Sequence, residues 1–203
     1  NGLYRPGYGQ PCNNGAHVAT GSLHKTFPGT NRGIIASNMS EGTRHYDLWR
    51  MILDEVMPGK HSNTHPESML GLLGACYEMM DFGNEYQLQV HKNAKAFAKA
   101  LRHSGLKVFG DSKVQYTETH QVVIDVGRNN GPSIAERLEE NYLVTNAQSV
   151  PIVDAGFSDG SGIRMGVQEM TRFGMKEKDF EQLADYMGDI ILRDQNRADD
   201  VRQ

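Results

Sequence analysis

Cysteine is scarce: the 203-residue chain has only Cys12 and Cys76. Two cysteines give no disulfide framework and suit a reducing compartment, so the expected location is cytoplasmic. No block of lysine and arginine occurs and the formal net charge is -4, which removes the electrostatic footprint of a nucleic-acid binder. No apolar run approaches the ~20 residues of a membrane-spanning helix. The first residues, Asn1-Gly2-Leu3, carry neither an initiator methionine nor a signal-peptide pattern, and read as the interior of a longer polypeptide. What is present is globular in character. Hydrophobic residues make up 38% and charged residues 23%, enough for a packed core, and the length suits one large domain or two small ones. No internal repeat is found.

Helices and strands alternate along the chain. Residues 1–15 are rich in Gly, Pro and Asn and read as loop. Ala16–Thr20 and Gly33–Ser37 read as short strands, which places Lys25 in the connection between them. The spacing predicts a helix over Thr43–Val56 with Tyr46, Trp49, Ile52 and Leu53 on one face. Thr64-His65-Pro66-Glu67 fits a capping box, with Thr64 as N-cap, Pro66 in the first turn and Glu67 at N3. A helix to about Met80 follows. A second runs from about Asn84 to His103, with Val90, Ala94, Phe97 and Leu101 at helical spacing. The turn-prone stretch Asp81–Asn84 between them is a candidate domain boundary. Leu106–Phe109, His120–Val126, Leu143–Asn146 and Gly162–Val167 read as strands. Pro132–Asn141 and Lys176–Leu192 read as helices, the latter with Phe180, Leu183, Met187 and Ile190 inward. The polar tail after Leu192 is expected to fray.

Lys25 stands in an unusual setting, GSLHKTFPG, after a histidine and before a proline and a glycine. A lysine amine becomes a nucleophile when burial or neighbouring positive charge removes its proton near neutral pH. An aldehyde cofactor needs such an amine. Pyridoxal 5'-phosphate (PLP) also needs phosphate donors and a cation for the substrate carboxylate. Ser22 is a candidate donor, and His24 could position the ring. Composition alone leaves the alternative of a surface lysine in a turn.

The residues 20–35 (TGSLHKTFPGTNRGII) resemble the signature of the serine hydroxymethyltransferase family, in which the lysine after a histidine holds PLP. Four further islands follow in the family's order. Val56-Met57-Pro58-Gly59 is similar to its apolar-Pro-Gly turn. Glu85-Tyr86-Gln87 with Val90 and Asn93–Ala96 is similar to its EYQ…V…NAKA helix. Ser161–Gly166 (SGIRMG) is similar to its SGIR segment, and Thr171-Arg172 with Gly174-Met175 to the T-R-x-G motif that comes next. The resemblance implies Lys25 as the cofactor lysine, His24 beside it, and Arg164 as the binder of the substrate carboxylate. A guanidinium suits that role because it can grip a carboxylate through two parallel hydrogen bonds.

Departures from the family pattern fall into two groups. The family's Gly-Gly pair, which reaches the cofactor phosphate of the neighbouring subunit, is replaced by Ser62-Asn63-Thr64-His65. A helix start remains a good anion site, so Thr64, with Ser62 or Asn63, is expected to contact phosphate across a dimer interface. His61 and His65 straddle that helix start without the HExxH glutamate, so no metal site is expected. The other group concerns folate. Counting back from Pro151, Gln148 takes the place of an asparagine that touches the pterin. The stretch Ile152–Gly160 lacks the family's usual Asp and Pro-Phe pattern, and Gly166-Val167-Gln168-Glu169 replaces G-T-P-A. Several lost hydrogen bonds at about 1–3 kcal/mol each could abolish folate use. Thr30-Asn31-Arg32-Gly33 stands where the family often has Pro-Arg-Gly-Gly, which leaves Arg32 without an assigned role.

These departures fit a folate-independent branch of the same superfamily, the L-threonine transaldolases. The resemblance therefore implies an α/β protein of PLP fold type I and a transferase that cleaves a β-hydroxy-α-amino acid. Its glycyl carbanion then adds to an acceptor aldehyde. Residues 1–82 would complete the large seven-stranded cofactor domain and 83–203 would form the small αβ domain. Rival readings are a tetrahydrofolate-dependent hydroxymethyltransferase and a non-catalytic partner subunit. The family's pyridine-nitrogen aspartate and proton-handling residues match nothing in this chain. An N-terminal half, a homodimer and a large exposed apolar face are therefore expected.

Overall fold

The computed structural model describes residues 9–150, 153, 154, 156 and 160–202. Contacts divide the chain into two compact units, Asn1–Glu85 and Tyr86–Gln203. Among the described residues, no helix is long and apolar enough to cross a membrane.

The first unit is built on an antiparallel hairpin, β1 (Ala19–His24) and β2 (Pro28–Ala36). Both strands run further toward Lys25 than the sequence pattern indicated, so the connection shrinks to residues 25–27. Helix α1 (Tyr46–Asp54) follows, shorter at both ends than expected. Tyr46, Trp49 and Ile52 turn inward as the spacing required, whereas Leu53 remains 48% exposed.

Helix α2 (Pro66–His103) is continuous, where the sequence suggested two helices and a turn at Asp81–Asn84. A lone glycine costs a helix interior about 1 kcal/mol, and a buried Gly83 among strong helix formers is not enough to break it. The boundary between the two units falls inside this helix, with no turn to mark it.

The second unit is a four-stranded antiparallel sheet in the order β3-β4-β6-β5. Its strands are β3 (Lys107–Val108), β4 (Gln121–Asp125), β5 (Asn146–Gln148) and β6 (Gly162–Gly166). β5 begins where the Leu143–Asn146 expectation ended, because Tyr142 takes a left-handed turn (φ 62°) and Leu143 N–H bonds back to Leu138 at 2.9 Å. The helices of this unit are α3 (Gly131–Glu140), α4 (Gln168–Arg172), α5 (Glu177–Arg193) and the short α6 (Ala198–Val201).

One sheet face is core. Val122 and Ile124 of β4 stand opposite Met165 and Ile163 of β6, all buried. Val90, Ala94, Phe97 and Leu101 of α2 and Phe180, Met187 and Ile190 of α5 are equally buried, and the rings of Phe97 and Phe180 lie 5.5 Å apart. A buried polar tie pins α2 to the α4–α5 region. Asn93 Nδ2 donates to Thr171 Oγ1 at 2.9 Å and to the Met175 carbonyl at 2.8 Å.

The tail does not fray. Arg197 Nε donates to Asp189 Oδ2 at 2.8 Å and its backbone N–H donates to Asn141 Oδ1 at 2.6 Å. These bonds fold residues after α5 back onto α3 and α5. The hydrogen bonds from Arg197, opposed by partial desolvation, hold the Asp189 carboxyl below its ordinary range.

Candidate functional site

The hairpin turn presents Lys25 and His24 to solvent, with Thr26 buried directly after them. Lys25 forms no ion pair among the described residues. Ser22 lies in β1 opposite Gly33, and a bulge separates it from His24. Glycine is required at 29: a β-carbon there would lie 2.6 Å from the Leu23 carbonyl and 2.8 Å from Leu72 of α2.

Arg32 ties this hairpin to the start of α2. Its carbonyl lies 3.4 Å from His24 Nδ1. Its guanidinium donates to the Thr64 carbonyl, to the His65 carbonyl at 2.8 Å, and through Nε to Ser68 Oγ at 2.8 Å. Thr30 Oγ1 adds a bond to the Ser68 carbonyl at 2.8 Å. The structure thus links the lysine-bearing turn with the segment Ser62-Asn63-Thr64, which sequence reasoning connected only through the family. The sequence leaves Arg32 without a role because two of its three partners, at residues 64 and 65, are backbone carbonyls, which leave no trace in residue type.

The capping-box reading is corrected. The helix starts one residue later, at Pro66, and the His65 carbonyl accepts from Ser68 N at 3.1 Å, so His65 is the N-cap. His65 takes φ 51°, and Asn63 Oδ1 accepts from His65 N at 3.2 Å. Glu67 then falls at N2 and its carboxylate lies 3.4 Å from His65 Nδ1 instead of closing a box on Thr64. Ser62, Asn63 and Thr64 are all exposed. Among the described residues no group of three His, Cys, Asp or Glu side chains could hold a metal.

Arg164 belongs to the second unit, in the middle of β6. It stands opposite Val123 of β4 on one side and Asn146 of β5 on the other. Strand alternation puts it on the face away from the core, half-buried between Ile163 and Met165, which point inward. Gln121, Val123, Asp125, Asn146 and Gln148 share that face, so amides, one apolar side chain and one carboxylate stand on it with the guanidinium. His120, just before β4, is held toward its neutral form, first by burial and further by the nearby Arg164 cation. Its Nδ1 is buried without a hydrogen-bond partner.

Asp154 was overlooked in a stretch otherwise unlike the family. Its Oδ2 accepts from Val150 N at 2.7 Å and from Ser161 N at 3.1 Å, and Ser161 Oγ donates to Oδ1. One carboxylate thus ties Val150 to Ser161 just ahead of β6. Pro151, Ile152, Ala155 and residues 157–159 of that stretch lie outside the described residues.

The family model described as Serine hydroxymethyltransferase matches residues 6–187. The chain belongs to the serine hydroxymethyltransferase family. The serine hydroxymethyltransferase of Staphylothermus marinus is 41% identical over 184 residues, which cover 90% of this chain and 40% of that protein. The one from Methanothermobacter marburgensis is 39% identical over 207 residues, covering 100% of this chain and 47% of that protein. The crystal structure of L-threonine transaldolase from Pseudomonas fluorescens in internal aldimine state matches with a TM-score of 0.81 at 34% identity. It covers 95% of this chain and 42% of that one. The chain spans less than half the length of these relatives and corresponds to the C-terminal part of the family. Its fold is the α/β of PLP fold type I.

The donor set suits the family's cofactor. The first unit offers a primary amine that forms no ion pair among the described residues, and exposed hydroxyl and amide donors stand ahead of a helix N-terminus.

Proposed function

We propose that the full protein is a PLP-dependent transferase that exchanges aldehydes on a β-hydroxy-α-amino acid, with L-threonine as donor. The observation that carries this reading is the family membership together with the exposed Lys25 turn tied through Arg32 to the start of α2. In it, residues 1–82 belong to the cofactor domain and 83–203 to the small domain.

Lys25 Nζ would hold the cofactor through its aldehyde carbon. His24, beside the Arg32 carbonyl, would orient the ring, and Ser22 would offer a hydroxyl to the phosphate. Ser62, Asn63 and Thr64 offer donors to the phosphate of a second copy, which makes the working unit a homodimer. Arg164 takes the substrate carboxylate through paired N–H bonds and so sets which bond at Cα faces the ring. When bound, the cofactor supplies a sink for the electron pair of the breaking Cα–Cβ bond. The exchange is redox-neutral. One Cα–Cβ bond breaks and acetaldehyde leaves. A second Cα–Cβ bond forms to the acceptor aldehyde, and the proton lost by the old hydroxyl is matched by one gained by the new.

Departures from the folate pattern support exchange without folate. Gln148 shares the Arg164 face and Gln168 replaces the family's proline near it. The curated relatives at 39–41% identity favour the second reading, a tetrahydrofolate-dependent serine hydroxymethyltransferase. Exposed apolar residues of the first unit, such as Leu70, Leu73 and Met80, call for cover from the remaining length of the protein and from the second copy. The two free cysteines suit a cytoplasmic location.

Borohydride reduction of the full-length protein, followed by peptide mapping, should place the cofactor adduct on Lys25. An adduct on another residue overturns the assignment. L-Threonine should release acetaldehyde in the presence of an acceptor aldehyde without folate. Strict dependence on tetrahydrofolate selects the second reading.

A further inference from the structure

Gln168 is half-buried, and the proposed chemistry gives it no role. It opens α4, and its backbone carbonyl accepts from Tyr86 Oη at 2.9 Å, which fixes where the residue sits. Its side chain folds back over the end of β6. A β-carbon built on Gly166 would lie only 2.4 Å from Gln168 Oε1, so the amide oxygen occupies the space that a side chain at 166 would fill. That oxygen is buried and accepts no hydrogen bond among the described residues. A buried amide oxygen without a donor is costly, on the order of 1–3 kcal/mol.

Gly166 and Arg164 lie on the same face of β6, because alternate residues of a strand point the same way. Two residues along a strand span roughly 6.8 Å. An arginine side chain covers that distance. The Arg164 guanidinium likewise makes no hydrogen bond among the described residues. An acceptor lacking a donor therefore stands within reach of a donor lacking an acceptor.

We propose that Gln168 is a positioning residue for Arg164: its amide oxygen takes one guanidinium N–H and leaves the opposite edge of the fork aimed at the substrate carboxylate. The inference rests on the reading of Arg164 as the carboxylate binder. A guanidinium has five N–H donors in a rigid plane, so fixing one edge sets the direction of the other. A neutral acceptor suits the task. A carboxylate at 168 would compete for the cation, and an apolar side chain would leave the plane free to rotate.

The test uses full-length protein loaded with cofactor and reads ligand-induced thermal stabilisation, not turnover. The ligands are L-threonine and L-threoninamide, which differ only in the carboxylate. The quantity measured is the ratio of their half-saturating concentrations. Arg164→Ala should collapse the preference for the acid; if it does not, the carboxylate reading fails and takes this inference with it. Gln168→Glu, which keeps the side-chain length, should raise half-saturation by threonine about tenfold or more, because a charged partner competes for the guanidinium, and leave threoninamide within about threefold. Gln168→Met, also of similar length, should weaken threonine selectively, and by less. If Arg164→Ala collapses the preference while both Gln168 variants leave it unchanged, the positioning role is overturned and the role of Arg164 stands. Loss of binding for both ligands equally in the Gln168 variants also overturns it, since a purely structural defect does not distinguish acid from amide.

Discussion

The two halves of helix α2 belong to different kinds of structure. Before the unit boundary, Met69, Leu70, Leu73, Tyr77 and Met80 are exposed, Leu70 by 71% and Met80 by 74%. After it, Val90, Ala94, Phe97 and Leu101 are at most 2% exposed. Backbone and helix propensity are shared, so the difference lies in what the rest of the chain supplies. The second unit brings a four-stranded sheet and α5 to its half of the helix, and its core closes on itself. Among the described residues of the first unit, a two-stranded hairpin meets its half of the helix, and a hairpin alone has too little area to bury one face of a helix. The lysine-bearing unit thus leaves apolar side chains of its helix half uncovered among the described residues, while the arginine-bearing unit has a core of its own.

This contrast can be tested by mutation in the chain as given, followed by denaturant unfolding. Phe97→Ala should have the largest effect, a loss of about 3–5 kcal/mol in the second unit, because the ring is buried against Phe180 and leaves a cavity. A loss under about 1 kcal/mol would show that this core is loosely packed. Asn93→Leu comes next, at about 1–3 kcal/mol, since Thr171 Oγ1 and the Met175 carbonyl lose their shared donor.

A pH effect should follow. His120 has its proton affinity lowered below that of an ordinary histidine in the folded state, chiefly by burial. The unfolded chain therefore binds a proton that the folded one refuses. Stability from this residue is intact above the unfolded value and falls as pH drops through it. Unfolding midpoints between pH 7 and pH 5 should flatten in His120→Gln. An unchanged slope would assign the pH response to another group. The smallest effect belongs to Leu70→Ser, within about 0.5 kcal/mol in this chain. In the full-length protein the same change should cost more, if the remaining sequence covers that face.

The sequence made much of this visible where side-chain chemistry and periodicity coincide. The inward stripe of α2, the inward face of α5 and the alternation that buries Ile163 and Met165 on either side of Arg164 all follow from spacing. The hairpin was legible as two strands around Lys25, although its strands proved longer because main-chain pairing extends past the apolar residues. What stayed hidden depends on the backbone or on distant partners. The start of α2 moved by one residue because His65 adopts a left-handed conformation. The unbroken passage through Gly83 reflects tertiary burial overriding propensity. The Asp154 clamp joins residues seven positions apart through main-chain N–H groups. The tail looked too polar to dock, yet Arg197 and Asp189 anchor it by charge.

The Arg32 latch has a consequence for how the segment ahead of α2 can vary. Its guanidinium grips the carbonyl oxygens of residues 64 and 65, which every amino acid provides. Side-chain identity at these positions is thereby uncoupled from the attachment that fixes their location. A glycine pair, a threonine or a histidine can be exchanged there while the loop stays docked. The contact chemistry of this edge is in that sense modular, open to retuning for a new ligand without redesign of the frame.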